Sequence, residues 1–286
     1  MTSIDPPARV ALIGAGTMGN GIAQVCAAAG YEVTLFDIRT DLVESGITSI
    51  RQSLDKLAAK GKLASSDVLA TTSRISGETS LENVKAELVI EAVVENITVK
   101  RDIFARLEMV NSPESIFVSN TSSLSINEIG NELKHPARFA GLHFFNPAPV
   151  MKLVEIVAGK KTAPQTIKLL RQFCMTLGKQ AVLANDSPGF IVNRVARPFY
   201  AEALTLLEQG VCDERGIDLL IRGVGFRMGP FELMDLIGID TNLAVTKSIY
   251  SALDKPSRFT PSFIQQQKVD NGELGRKTGR GFYEYN

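Results

Sequence analysis

Short apolar runs alternate with stretches of helical period through the first half of the chain. Arg9–Ile13 (RVALI) and residues 32–37 (EVTLFD) read as strands flanking a helix over 19–30. From about residue 41 to 84 the apolar spacing is helical, broken by the polar turn Lys60-Gly61-Lys62, which predicts a helical hairpin. Further strand-like runs at 87–93 (ELVIEAV), 115–119 (SIFVS) and 139–145 (FAGLHFF) accompany a helix over 99–110. Strands separated by helices predict a parallel sheet with crossover connections. Past residue 150 the rhythm changes: 152–157 and 179–184 read as strands around one helix, 165–177. After Asp186 the strand signal stops, and 190–208, 213–224, 231–253 and 261–271 are all helical in period. Ser187-Pro188-Gly189 breaks the chain, because proline lacks a donor and glycine takes dihedrals that other residues avoid. The expected division is an α/β domain over 1–187 and an all-α domain over 188–286.

Composition narrows the function classes. With 286 residues, 31 Lys+Arg against 31 Asp+Glu, the chain lacks the basic excess of a general nucleic-acid binder. No apolar run approaches the ~18 residues of a membrane span, so no membrane partner is expected. The first ten residues carry no apolar h-region, and no presequence is expected. Cys26, Cys174 and Cys212 are scattered and odd in number. They form no disulfide scaffold or Cys-type zinc pattern; no metal site is expected, and a reducing cytoplasm is the expected location.

Gly14-Ala15-Gly16-Thr17-Met18-Gly19 matches G-x-G-x-x-G directly after a strand and directly before a helix. The first glycine permits the tight turn, the second lets backbone approach a pyrophosphate, and the third packs helix on strand. The helix N-terminus offers N–H groups and positive dipole to the anion. The α/β domain is therefore expected to be Rossmann-type, a mostly parallel sheet with helices on both faces. Asp37 ends the second strand, where a carboxylate accepts from the adenosine ribose 2′-OH and repels a 2′-phosphate. That favours NAD over NADP, although Arg39 could accommodate a phosphate.

The run from Gly141 to Glu155 (GLHFFNPAPVMKLVE) is two strand-like pieces around a proline-rich turn. Folded back about Pro149 as an antiparallel pair, it sets His143 opposite Glu155, within reach of an imidazole–carboxylate hydrogen bond. Such a pair suits a general acid–base, since the carboxylate fixes the tautomer and raises imidazole basicity. An accidental cross-strand pair would have the same spacing. The other histidine, His135, lies in a polar turn and reads as a solvated surface residue.

Several segments together resemble the 3-hydroxyacyl-CoA dehydrogenase family: Asn120-Thr121-Ser122-Ser123, the His143–Glu155 run, Ser187-Pro188-Gly189-Phe190-Ile191-Val192-Asn193-Arg194, Met228-Gly229-Pro230-Phe231-Glu232-Leu233, and GRKTGRGFY at 275–283. The length is similar to that of short single-function members, the 3-hydroxybutyryl-CoA dehydrogenases, while 225–238 is also similar to 3-hydroxyadipyl-CoA dehydrogenases. The resemblance implies His143 as catalytic base, Glu155 as its orienting carboxylate, and Ser122 and Asn193 as ligands of the substrate oxygen. It implies NAD contacts at the glycine loop, Asp37, Glu95, Lys100, Ser122, Asn146 and Lys277, and CoA contacts at Ser53, Lys60 and Ser122. Without the resemblance, Lys60 reads equally as a solvated lysine. An acyl-CoA substrate and a homodimer through the helical domain are implied as well. A non-catalytic dinucleotide-binding structural or sensor protein is the alternative outside enzymes.

Overall fold

The computed structural model describes residues 8–285. The chain divides into two compact units, 1–186 and 187–286. In the first, β1 (Arg9–Ile13), α1 (Thr17–Ala28), β2 (Glu32–Phe36), α2 (Thr40–Ala59), α3 (Ser65–Ser73) and β3 (Ile75–Glu78) come first. They are followed by β4 (Leu88–Glu91), α4 (Ile97–Val110), β5 (Ile116–Ser119), α5 (Ile126–Gly130) and β6 (Phe139–Phe144). The unit closes with β7 (Leu153–Ala158), α6 (Pro164–Thr176) and β8 (Gln180–Asn185).

All eight strands form one sheet in the order β3-β2-β1-β4-β5-β6-β7-β8. The pairs from β3 to β6 are parallel, β6–β7 is antiparallel, and β7–β8 is parallel again. Both faces are covered, as the continuous apolar runs of the central strands require. On one face Leu12, Leu35, Ile90 and Val118 pack against Ile22 and Cys26 of α1, Leu54 of α2 and Phe173 of α6. The alternate residue Phe117 faces the other way and meets Phe104 of α4 edge-on, which in turn meets Phe139. The Asn96 side chain caps α4 by accepting from the backbone N–H of Thr98 and Val99, a contribution of about 1 kcal/mol.

Two expectations are corrected. The helical reading of 41–84 conceals β3, which pairs with β2 at the sheet edge in the register Val33↔Ile75. Its sequence, ISGE, has little strand character of its own. The strand exists because β2 offers an open edge and because Gly77 lets α2 close over it; a Cβ there would stand 2.5 Å from Val43 Cγ1. The single helix expected over 231–253 is two, α9 (Pro230–Ile237) and α10 (Ile239–Ala252). They are divided at Gly238, whose φ of 101° interrupts the ladder while leaving the apolar spacing intact.

The second unit also holds α7 (Val192–Glu208), α8 (Glu214–Gly223) and α11 (Phe263–Asp270). Its core gathers Tyr200, Leu204, Ile217, Phe231, Met234 and Ile239. Two buried carboxylates tie its C-terminal residues down. Asp218 accepts from the backbone of Phe231 and Glu232 and from the Tyr283 hydroxyl, and Asp235 from the backbone of Phe282 and Tyr283 and the Tyr285 hydroxyl.

Candidate active site

The glycine loop joins β1 to α1 at the point where strand order reverses, β2 lying on one side of β1 and β4 on the other. Each glycine has a separate steric reason. Gly14 has φ of 109°, and a Cβ there would stand 2.7 Å from Ala92 O; a Cβ on Gly19 would stand 1.8 Å from Gly14 O. At Gly16 a Cβ would meet nothing within 4 Å, so that glycine keeps open space beside the loop rather than relieving a clash within it. The α1 N-terminus has no side-chain cap and no acidic residue in its first turn. Open space, uncapped N–H groups and the positive end of a helix fit a dinucleotide pyrophosphate.

Asp37 follows β2 and reaches back to the loop. Its Oδ2 accepts from Ala15 N at 2.9 Å and its Oδ1 from Ile38 N at 2.8 Å. Arg39, the residue that would suit a 2′-phosphate, is held by Asp41 through both Nε and Nη2. Both side chains are 62% exposed, so this surface pair is worth little and the preference for NAD rests on Asp37.

Strands β6 and β7 pair in the register His143↔Glu155, the opposition that folding about Pro149 requires. His143 Nδ1 stands 2.7 Å from Glu155 Oε2, and the residues are 6% and 1% exposed. A carboxylate only accepts, so Nδ1 carries the hydrogen and Nε2 the lone pair of the neutral ring. Phe145 packs on the imidazole with ring centroids 4.5 Å apart. His135 is exposed and meets Glu108 only through its backbone N–H.

Between these two features lies the turn after β5. Glu95 Oε1 accepts from Thr121 Oγ1 at 2.5 Å, from Ser122 N at 3.1 Å and from Ser123 Oγ at 3.1 Å. Burial pushes the Glu95 carboxyl up, but the Lys100 charge and these hydrogen bonds outweigh it and hold it below the usual carboxylate range. Lys100 is 1% exposed, with its ammonium 2.6 Å from Glu91 Oε1 and 3.3 Å from Glu95 Oε2. From α4 that ammonium is thus committed to one carboxylate of β4 and one of the segment after it, and it reaches the surface of the site through Glu95.

The structure therefore brings together the glycine loop with Asp37, His143 with Glu155, and Glu95 with Lys100 and Ser122. Apart from Glu155 on β7 and Lys100 on α4, these belong to the carboxyl ends of β1, β2, β4, β5 and β6 or to the segments just beyond them, where open α/β sheets bind ligands. Asn146 is exposed in the turn after β6, Ser53 is half-buried on α2, and Lys60 is exposed at the end of that helix. Asn193 and Lys277 belong to the second unit. Asn193 lies in the first turn of α7, its carbonyl accepting from Arg197 Nε at 3.1 Å, and Lys277 pairs with Asp240 at 2.6 Å. Sequence reasoning missed Glu91 and Asn120. An acid inside the apolar run ELVIEAV was the available signal for Glu91.

With this geometry in view, comparison with known proteins is informative. Residues 9–187 match the model of the 3-hydroxyacyl-CoA dehydrogenase NAD binding domain, and 189–285 that of the 3-hydroxyacyl-CoA dehydrogenase C-terminal domain. The chain is 47% identical over 278 residues to the 3-hydroxyadipyl-CoA dehydrogenase of Escherichia coli (strain K12), covering 96% of this chain but only 58% of that protein's length. It is 42% identical to the mitochondrial hydroxyacyl-coenzyme A dehydrogenase of Rattus norvegicus, covering 97% of this chain and 91% of the other. The crystal structure of (S)-3-hydroxybutyryl-CoA dehydrogenase from Ralstonia eutropha superposes with a TM-score of 0.93 at 39% identity, covering 98% of this chain and 99% of that one. Two family domains in sequence, over a glycine loop and a buried histidine–carboxylate pair, place this chain in the 3-hydroxyacyl-CoA dehydrogenase family.

Proposed function

We propose that this protein interconverts (S)-3-hydroxyacyl-CoA and 3-ketoacyl-CoA with NAD, preferring a short acyl chain such as 3-hydroxybutyryl. The observation that carries the reading is the buried His143 Nδ1–Glu155 Oε2 contact of 2.7 Å, in the same sheet as the glycine loop. Bound nicotinamide supplies or accepts the hydride at C3. In oxidation, His143 Nε2 takes the proton of the 3-hydroxyl; in reduction the imidazolium returns a proton to the C3 oxygen. Glu155 stabilises the imidazolium, acting as an electrostatic partner rather than a proton acceptor. Ser122 holds the C3 oxygen, and Asn146 and Glu95 contribute to the dinucleotide site; for Asn193 and Lys277 of the second unit the family resemblance alone supports a role in substrate and cofactor binding. Ser53 and the exposed Lys60 meet the phosphate-rich CoA.

Loss of NADH absorbance on adding acetoacetyl-CoA tests the reading. NADH binding without turnover on any 3-ketoacyl-CoA would favour a sensor protein instead. A second reading, 3-hydroxyadipyl-CoA dehydrogenase, is favoured by the 47% identity to the E. coli enzyme of that name. Comparing kcat/KM for 3-ketoacyl-CoA substrates of C4, C6 and C10 and for 3-ketoadipyl-CoA separates the two. An optimum at the dicarboxylic substrate replaces the short-chain proposal.

The helical unit is proposed to form a homodimer, because Leu219, Leu220, Val224 and Phe226 lie exposed on and just after α8. The chain has no disulfide among its described residues and no helix long and apolar enough to cross a membrane. A cytoplasmic role in fatty-acid β-oxidation fits both facts, and fractionation of the native host checks the location.

A further inference from the structure

Three polar side chains are buried together where β4 and β5 end: Glu91 and Ser119 of those strands at 0% exposure and Lys100 of α4 at 1%. A buried ion pair carries a heavy desolvation cost and is weak evidence of stabilisation, so its geometry is the better guide to its use. Glu91 Oε1 accepts from Lys100 Nζ at 2.6 Å and from Val93 N at 2.7 Å, and Oε2 accepts from Ser119 Oγ at 2.6 Å. The Lys100 bond ties β4 to α4, and the Ser119 bond joins two neighbouring strands. All lead towards the segments that follow β4 and β5.

Two routes then run from Glu91 to the turn carrying Ser122. One passes through Ser119, whose Oγ also accepts from Thr121 N at 3.3 Å. The other passes through Lys100, whose ammonium stands 3.3 Å from Glu95 Oε2, while Glu95 Oε1 accepts from Thr121 Oγ1, Ser122 N and Ser123 N. The same turn is fastened to the histidine strand, because Asn120 Oδ1 accepts from Phe144 N at 2.8 Å. Glu91 thus stands at the root of a network that ends at the backbone N–H of Ser122, in a turn fastened to Phe144, the residue after His143.

We propose that Glu91 is a positioning residue that sets Ser122 relative to His143, acting through Lys100–Glu95 and through Ser119. The proposal rests on the reading of Ser122 as a ligand of the substrate oxygen. Its two routes make the turn rigid in two directions, which is what presenting a hydroxyl to a developing charge demands. In Glu91→Gln the side chain keeps its shape but loses one acceptor and its charge. Lys100 is then left with Glu95 alone and draws that carboxylate away from the turn.

The test is a double-mutant cycle of Glu91→Gln and Ser122→Ala, read as kcat and KM for acetoacetyl-CoA, with NADH Kd measured by fluorescence. Misplacement of a reacting group by about 1 Å costs up to ~100-fold, so Glu91→Gln is expected to lower kcat about 10- to 100-fold. NADH should bind more weakly but still bind, because Glu95 belongs to the proposed dinucleotide site while the glycine loop and Asp37 are untouched. In the Ser122→Ala background, Glu91→Gln should add little, since the group it positions is gone. Losses that multiply would overturn the proposal while leaving Ser122 in its role. Unchanged kinetics in Ser122→Ala alone would remove Ser122 from the oxygen site and the proposal with it. Ser119→Ala, which deletes the bonds to Glu91 and from Thr121 N and leaves every charge in place, carries the same cycle if Glu91→Gln does not fold. It is expected to show a smaller loss that is likewise absent in the Ser122→Ala background.

Discussion

Replacing Glu155 with glutamine removes one charge from the acid–base pair and leaves its shape. Side-chain exposures of 7% and 1% put the contact out of reach of solvent screening, so the lost interaction is felt in full. With a 2.7 Å hydrogen bond the two charge centres are about 4 Å apart, and at an effective dielectric of ~20 their attraction is about 4 kcal/mol. At about 1.4 kcal/mol per decade this sets a ceiling near ~1000-fold on kcat, reached if the imidazolium is fully formed in the transition state. The glutamine oxygen still accepts from Nδ1, so the ring keeps its tautomer and the loss should fall between about 100-fold and that ceiling. His143→Gln should cost ~10²–10⁴-fold, the usual worth of general acid–base catalysis. The decisive measurement is kcat of the double variant with acetoacetyl-CoA and NADH. A Glu155 that acts through the ring predicts a double variant little worse than His143→Gln, with NADH Kd preserved in all three. Two losses that simply multiply would mean that Glu155 serves some other group, and the pairing would have no catalytic meaning.

Asp37→Ala should weaken NAD use by freeing the loop at Ala15 and raise relative NADP use, since the repelling carboxylate is gone and the exposed Arg39 remains. An unchanged NAD/NADP preference would remove Asp37 from the ribose site. For Glu95, folding favours the carboxylate, so its contribution is present above the unfolded value of about 4.3 and lost as pH falls through the lower folded value. The Tm difference between wild type and Glu95→Gln should therefore shrink below about pH 4, and a difference that grows on acidification would reverse the sign. Leu219→Glu with Leu220→Glu should give monomers by light scattering, since both side chains are exposed on α8; an unchanged mass would place the interface elsewhere.

What the sequence determined by itself is what a few consecutive residues decide. The glycine loop is legible because six adjacent positions, an apolar strand before them and a helix after them are enough to specify the turn and its anion-binding end. The His143–Glu155 opposition is legible for a similar reason: a chain folding back about Pro149 has little freedom in register, and the side-chain period of two then puts both residues on one face. Tertiary structure decided the rest. Strand β3 exists only because β2 has an open edge and Gly77 makes room for Val43, and neither condition is visible in ISGE. The division of α9 from α10 depends on one dihedral at Gly238 that leaves the apolar spacing unchanged. Lys100 looks like any helix lysine until β4 delivers Glu91 beside it, and Glu91 meets Ser119 only because β4 and β5, 28 residues apart at this contact, are neighbours in the sheet. Contacts that local geometry brings about can be read from spacing, whereas those made by strand order arise only once the sheet has closed around them.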